Sequence, residues 1–285
     1  MDDLVTPKQV ARAIGVSEST LKRWCDQGIL PSIRTAGGHR RLEVQEVIAY
    51  LRHSGREIQR PDMLGLPSNT GKGARVISRT QTLLVHALIE GDEVQCRRLV
   101  FDLYLQDRSI REICDDVLAP TLDQIGELWG CGDIAIYQER RCCEITQRIL
   151  FELQRTLRQA TESAPVAIGG TLVKDPYQIA TMMAGLILKE LGWNAESLGS
   201  GLPVETVIKA VVDIQPKLVW LSVSCIDDTE YFIYTCNQLH NIAAEHRTAL
   251  VLGGCALGES LRKQLSYTVY CDNFKDLANF ASSLT

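Results

Sequence analysis

Two short stretches near the amino end carry polar side chains in a pattern suited to gripping a polyanion. Ser17 precedes a helical run, Glu18 to Asp26, in which Leu21 and Trp24 fall inward while Ser19, Thr20, Lys22 and Arg23 are left outward. Further on, Ser32-Ile33-Arg34-Thr35 and His39-Arg40-Arg41-Leu42 are two extended runs about a Gly37-Gly38 turn, a hairpin wing with three arginines. A second helix of this kind enters the major groove, and wing arginines reach phosphates or the minor groove. The expected DNA-binding residues are therefore Ser19, Thr20, Lys22, Arg23, Arg34, His39, Arg40 and Arg41, and the expected partner is operator DNA.

Other reactive residue types form no recognisable set. The histidines are His39, His53, His86, His240 and His246, none within a nucleophile motif. Cys131, Cys142 and Cys143 lack the pair-of-pairs spacing of a zinc site. No metal ligands and no catalytic residues are expected, and the chain is expected not to be an enzyme. Turns at Gly169-Gly170 and Gly199-Ser200-Gly201 follow strand patterns, but without a Gly-x-Gly-x-x-Gly fingerprint they give a dinucleotide site little support.

The elements that position the basic residues are legible. Thr6-Pro7-Lys8-Gln9 offers a cap, a proline at the first helical position and a glutamine at the third, so a helix begins there and ends near Gly15. With the run after Ser17 this makes a helix-turn-helix. Ser54 to Ser78, with Pro61, Gly65, Pro67, Gly71 and Gly73, reads as a linker. From Arg79 to about Thr161, helical apolar spacing (Leu99, Leu103; Ile113, Val117, Ile125, Leu128) predicts four helices in a bundle. Beyond Pro165, short apolar runs (Val166 to Ile168, Leu218 to Val223, Leu250 to Leu252, Tyr267 to Tyr270) alternate with helical patterns at Thr181 to Leu191 and Val204 to Ile214. That alternation predicts a parallel sheet buried on both faces, with ligands outside the carboxyl ends of its strands.

Composition agrees with a multidomain regulator. The 285 residues suggest about two domains with sizeable cores. With 45% hydrophobic and 23% charged residues the chain is too apolar for disorder, and no run approaches the ~18 apolar residues of a membrane span. Asp2 and Asp3 are unlike a signal peptide, so a cytoplasmic protein with no membrane partner and free, mostly buried thiols is expected. Residues 1–60 hold ten Lys/Arg against seven Asp/Glu, whereas the whole chain carries a net charge of −5, so a basic head precedes an acidic body.

The head, Val10-Ala-Arg-Ala-Ile-Gly-Val-Ser-Glu-Ser-Thr-Leu-Lys-Arg-Trp24 followed by Thr35-Ala-Gly-Gly-His-Arg-Arg-Leu42, resembles the MerR and excisionase type of winged helix-turn-helix domain. In the body, Asp175-Pro-Tyr177-Gln-Ile-Ala180 is followed after 41 residues by Ser222-Val-Ser224 and after 28 more by Gly253-Gly254. This resembles the cobalamin-binding domain shared by methionine synthase, corrinoid methyltransferase carriers and CarH-type light-responsive repressors, whose pattern is Asp-x-His-x-x-Gly, Ser-x-Leu, Gly-Gly. Trp129, nine residues and Glu139-Arg140 resemble the Trp and Glu-His of CarH-type bundles. The resemblance implies a degenerate pocket of Trp129, Glu139, Arg140, Asp175, Tyr177, Ser222, Ser224, Gly253 and Gly254, with Ser222 and the two glycines lining a tunnel for the cofactor's nucleotide tail. Tyr177 and Arg140 stand where the family has cobalt-ligating histidines, and Ala180 where it has glycine. Taken without the resemblance, Trp129 reads as a bundle-core aromatic, Arg140 as a solvated charge and Tyr177 as a packed phenol.

The expected fold is thus multidomain α and α/β: a winged helix-turn-helix over 1–53, a linker over 54–78, a four-helix bundle over 79–162 and a Rossmann-like cobalamin-binding-type domain over 163–285. The expected function is a CarH-like DNA-binding regulator, a repressor by family, whose body sets the size of a homo-oligomer, dimer or tetramer, and takes a small-molecule ligand or none. Two readings of the cofactor stay open. In the preferred one cobalamin plays no part, and in the other it is held with altered ligation in a light-responsive sensor. A corrinoid carrier for methyl transfer is the rival from another class, and the DNA-binding head weighs against it.

Overall fold

The computed structural model describes residues 4–35, 37–54, 56, 58–66 and 74–285. The chain divides into two compact units, residues 1–157 and 158–285.

In the first unit, strand β1 (Leu4–Val5) leads into α1 (Pro7–Ile14). The Thr6 hydroxyl accepts from Gln9 N at 3.2 Å while the Gln9 side chain accepts from Thr6 N at 2.8 Å, and Gly15, at φ 71°, ends the helix. Ser17 Oγ caps α2 (Glu18–Asp26) by accepting from Thr20 N at 3.1 Å. β2 (Ile33–Arg34) and β3 (Arg40–Glu43) pair antiparallel with Ile33 opposite Arg41, and β3 also pairs with β1. This is the expected winged helix-turn-helix, apart from Ala36 of the wing turn, which lies outside the described residues. Leu21 is buried as expected, but Trp24 is only half-buried, its ring 5.5 Å from that of Tyr50 on α3 (Val44–Ser54).

The head rests on the helices that follow. Arg52 Nη1 donates to the Tyr104 carbonyl at 2.9 Å, its guanidinium lies 4.1 Å from the centre of the Tyr104 ring, and Arg155 pairs with Glu43 at 2.8 Å. The intervening segment is partly structured. A 3₁₀ turn spans Pro61–Leu64, Leu64 and Leu66 are buried, and residues 67–73 of the expected linker lie outside the described residues.

Helices α4 (Ala74–Glu90), α5 (Glu93–Leu105), α6 (Ile110–Ile113) running on into α7 (Ala119–Cys131), and α8 (Ile136–Arg155) form the bundle. Leu84, Leu88, Phe101, Ile113, Ile125, Ile149 and Leu153 are buried there. Between α6 and α7 the chain widens into a π-turn at Cys114–Leu118 just before Pro120. Proline has no N–H to donate and its ring crowds the preceding turn, which is where helices admit an extra residue.

The second unit is a five-stranded parallel sheet in the order β5-β4-β6-β7-β8, built from β4 (Val166–Gly170), β5 (Asn194–Ser197), β6 (Leu218–Ser222), β7 (Ala249–Gly253) and β8 (Val269–Cys271). Helices α9 (Ile179–Glu190) and α13 (Phe274–Ser283) cover one face, and α10 (Val204–Ile214) and α11 (Thr229–Glu245) the other, with the short α12 (Glu259–Arg262) before β8. The strand order reverses between β4 and β6, the topological switch point at which open α/β sheets form their ligand crevice.

Candidate functional sites

The first site is the outer surface of the head. Ser19, Lys22 and Arg23 are exposed and Thr20 is half-exposed, all on α2, while Arg34 and His39 are exposed on the wing and Arg41 is half-buried. Lys22 pairs with Glu18 one turn back at 2.8 Å, a solvated pair that a phosphate can displace. Arg40 is placed differently. Its guanidinium donates to Asp26 Oδ1 at 2.6 Å and to the Lys22 carbonyl at 3.0 Å, bracing the wing against the end of α2. The hydrogen bond to Asp26 holds its pKa above the ordinary arginine value, and four-fifths of the side chain is covered. Sequence spacing separated no bracing arginine from a phosphate-binding one.

In the bundle, Trp129 near the end of α7 is 42% exposed, so it is not a core aromatic. Glu139 in the first turn of α8 is buried, accepts from the Cys143 thiol at 3.3 Å and pairs with Arg140 Nε at 3.4 Å, while Arg140 itself is about half exposed. Ile136 and Tyr137 are also exposed on this helix start.

In the second unit the loops after β4 and β6 meet through Asp175, which is 3% exposed. Its Oδ2 accepts from Ser224 N at 2.6 Å and Cys225 N at 3.2 Å, and its Oδ1 from Tyr177 N at 3.1 Å. Burial pushes the carboxyl pKa up, and the three N–H groups pull it down. The Asp175 carboxylate thus ties together the backbone at Tyr177, Ser224 and Cys225, and Asp175 and Ser222 line one cavity. Gly253 and Gly254 join them from the end of β7: Val223 N donates to the Gly253 carbonyl at 2.8 Å, and Gly254 sits at φ 130° with its Cα so close to Val223 that any Cβ would overlap the Val223 backbone.

A cavity of about 340 Å³ opens at the switch point, lined by Leu172, Lys174, Asp175, Val223, Tyr231 and Phe232 among others, with Lys174 and Asp227 paired at 3.1 Å. The α11 side chains of this lining were not foreseen, because a helix facing a cavity has the same apolar spacing as one facing a core.

Tyr177 and Arg140, at the positions the sequence resemblance matches to cobalt-ligating histidines, offer no imidazole, and the Asp175 carboxylate accepts from backbone N–H groups. Among the described residues no group of three or more His, Cys, Asp or Glu could hold a metal ion, and no helix is long and apolar enough to cross a membrane. The ten cysteines are free thiols, five of them buried, and burial pushes the Cys96, Cys236 and Cys271 thiols up to about 12, which leaves them inert.

Comparison with known proteins supports both halves. Residues 4–54 match the helix-turn-helix domain family and residues 81–154 the B12 binding domain family. The chain thus joins a stretch that matches the helix-turn-helix domain family to one, within the helical bundle, that matches the B12 binding domain family. Among curated relatives it is 27% identical over 142 residues to the HTH-type transcriptional repressor CarH of Myxococcus xanthus, covering 50% of this chain and 46% of that one. It is 24% identical over 226 residues to the repressor CarA of the same organism, covering 75% of each chain. It is also 20% identical over 169 residues to the trimethylamine corrinoid protein of Methanosarcina barkeri, covering 58% of this chain and 77% of that one. The match therefore spans about half the length of CarH and three-quarters of CarA. The solved monomethylamine corrinoid protein of Methanosarcina barkeri shares the fold at TM-score 0.59 and 15% identity, covering 73% of this chain and 99% of that one.

Proposed function

We propose that this chain is a MerR-type, CarH-like transcriptional regulator that represses from operator DNA in the cytoplasm. Residues 1–53 read the operator, 54–78 link, 79–162 form the bundle, and 163–285 form the Rossmann-like body, which with the bundle sets the oligomer, a dimer or tetramer. Cobalt ligation plays no part in this reading. One observation carries it: α2 leaves Ser19, Lys22 and Arg23 exposed while Arg40 holds the wing, with Arg34 and His39 free, at a fixed place beside it. Seven or eight side chains are few for one specific site, and two or more heads on one assembly raise the effective concentration of each.

A second reading, a carrier of a corrinoid methyl group, is favoured by the likeness to the trimethylamine and monomethylamine corrinoid proteins. It offers no role for the head. The two are separated by enriching duplexes from a random 30-mer library on the full-length protein and titrating the winner by fluorescence anisotropy. Enrichment of one palindromic or tandem motif, with a complex mass of two or four chains by light scattering, supports the regulator. No enrichment together with co-purifying corrinoid supports the carrier.

A further inference from the structure

Trp220 lies in a slot shaped to its ring. Leu218 and Trp220 belong to the core cluster under α9 and α13, and Val219 and Leu221 to the cluster under α10 and α11, so the two-residue period of β6 brings Ser222 out on the indole's side. Gly169 is the register partner of Trp220 on β4, and a Cβ there would overlap the indole. A Cβ on Gly185 of α9 would touch the indole's Cζ2 at 3.4 Å. The indole Nε1 donates to Thr181 Oγ1 at 2.8 Å, and both residues are at most 2% exposed. Two glycines and one hydroxyl thus form a flat, apolar slot, one fused ring system wide, between β4, β6 and α9. It lies beneath the loops that gather Asp175, Ser222 and Gly254.

We infer that the indole of Trp220 fills the space into which a corrinoid would insert the fused-ring base of its nucleotide tail, so that the second unit excludes tail-bearing corrinoids and keeps its fold without one. The inference rests on reading this unit as a B12-binding-type body. Protein interiors are close-packed and do not yield room for a second ring system, so indole and base exclude each other. It goes beyond the absent histidine: an imidazole restored at position 177 would still face a filled slot. The remaining cavity is lined by Leu172, Val204 and Phe232 of the opposite core cluster together with Ser222, and Trp220, Gly169 and Thr181 are not among its lining residues.

The test uses the full-length protein and its Tyr177→His, Trp220→Gly and doubly substituted variants, each incubated with hydroxocobalamin, desalted, and read by corrin absorbance and equilibrium dialysis. The parent and Tyr177→His are expected to retain none. The double variant is expected to bind at least about tenfold more tightly than Tyr177→His. Stoichiometric corrinoid on the parent or on Tyr177→His overturns the inference, and so does a folded double variant that binds no better than Tyr177→His. Because loss of a buried indole weakens the core, Trp220→Gly is also melted with free indole and with 5,6-dimethylbenzimidazole, since apolar cavities left by truncation accept rings of matching size. A rise in Tm with both is expected, and no rise with either overturns it. Operator binding, read by anisotropy on the same samples, reports separately on the regulator reading.

Discussion

Arg40 of the wing grips Asp26 at the end of α2 at 2.6 Å, so the two surfaces that would meet DNA are held by one ion pair. The pair spends an arginine that, by sequence, looked free to bind phosphate. Substituting Arg40→Ala should weaken binding to all duplexes alike, with an unchanged salt slope, because it disorders the wing rather than removing a phosphate contact. Stability should fall by no more than about 1 kcal/mol, since Asp26 is largely solvated. Titrations at several salt concentrations with a thermal melt of each variant check both statements.

Arg34 gives the contrasting case, because it is exposed. Arg34→Ala should lower the slope of log K against log salt by about 0.9, the signature of one lost phosphate contact. Arg23→Ala on the outward face of α2 should instead relax preference at a single base position, by about 1–3 kcal/mol. A panel of single-base operator variants distinguishes the two.

Asp102 on α5 provides a pH test of the bundle. Burial pushes its carboxyl up to about 7, against the hydrogen bond from Gln106 Nε2 at 2.8 Å. The folded state therefore holds a proton that the unfolded state releases near pH 4. Stability contributed by this group is full below that value and declines as pH rises from about 4 to about 7, after which the cost is constant. Asp102→Asn, which still accepts from Gln106, should be more stable than the parent at pH 8 by on the order of 2–4 kcal/mol, with the difference vanishing toward pH 4. Urea unfolding of both proteins at pH 4.5, 6 and 8 measures it.

Thr181 tests the fit around Trp220 without removing the indole. Thr181→Val keeps the shape and strips the acceptor, leaving a buried N–H unpaired at a cost of about 1–3 kcal/mol. Gly169→Ala should cost more, because the added methyl overlaps the indole, and Trp220→Leu in the same chain should recover part of the loss. Denaturant midpoints of the single and double variants give the coupling directly.

What was legible in the sequence follows the range of the interactions involved. Helix starts at Thr6 and Ser17 were legible because a cap and its recipient lie three residues apart. Strands β4, β6 and β7 were legible as apolar runs buried on both faces, whereas β5, an edge strand with only Ala195 buried, showed no apolar run and was marked only by the Gly199-Ser200-Gly201 turn that follows it. Leu64 and Leu66 are buried inside a segment whose Pro and Gly content reads as linker, since local composition carries no information about a distant surface. Arg40 and Trp220 are the instructive cases. Only the third dimension supplies Asp26 for one and Gly169, Gly185 and Thr181 for the other.

The most direct measurement is one titration of full-length protein onto its enriched duplex, run in darkness and in light, with and without adenosylcobalamin. A sequence-preferring, salt-dependent isotherm that is the same in all four conditions is the predicted result. Binding without sequence preference, or binding that appears or disappears with corrinoid or light, would contradict a regulator that reads DNA through this head and works without cobalt.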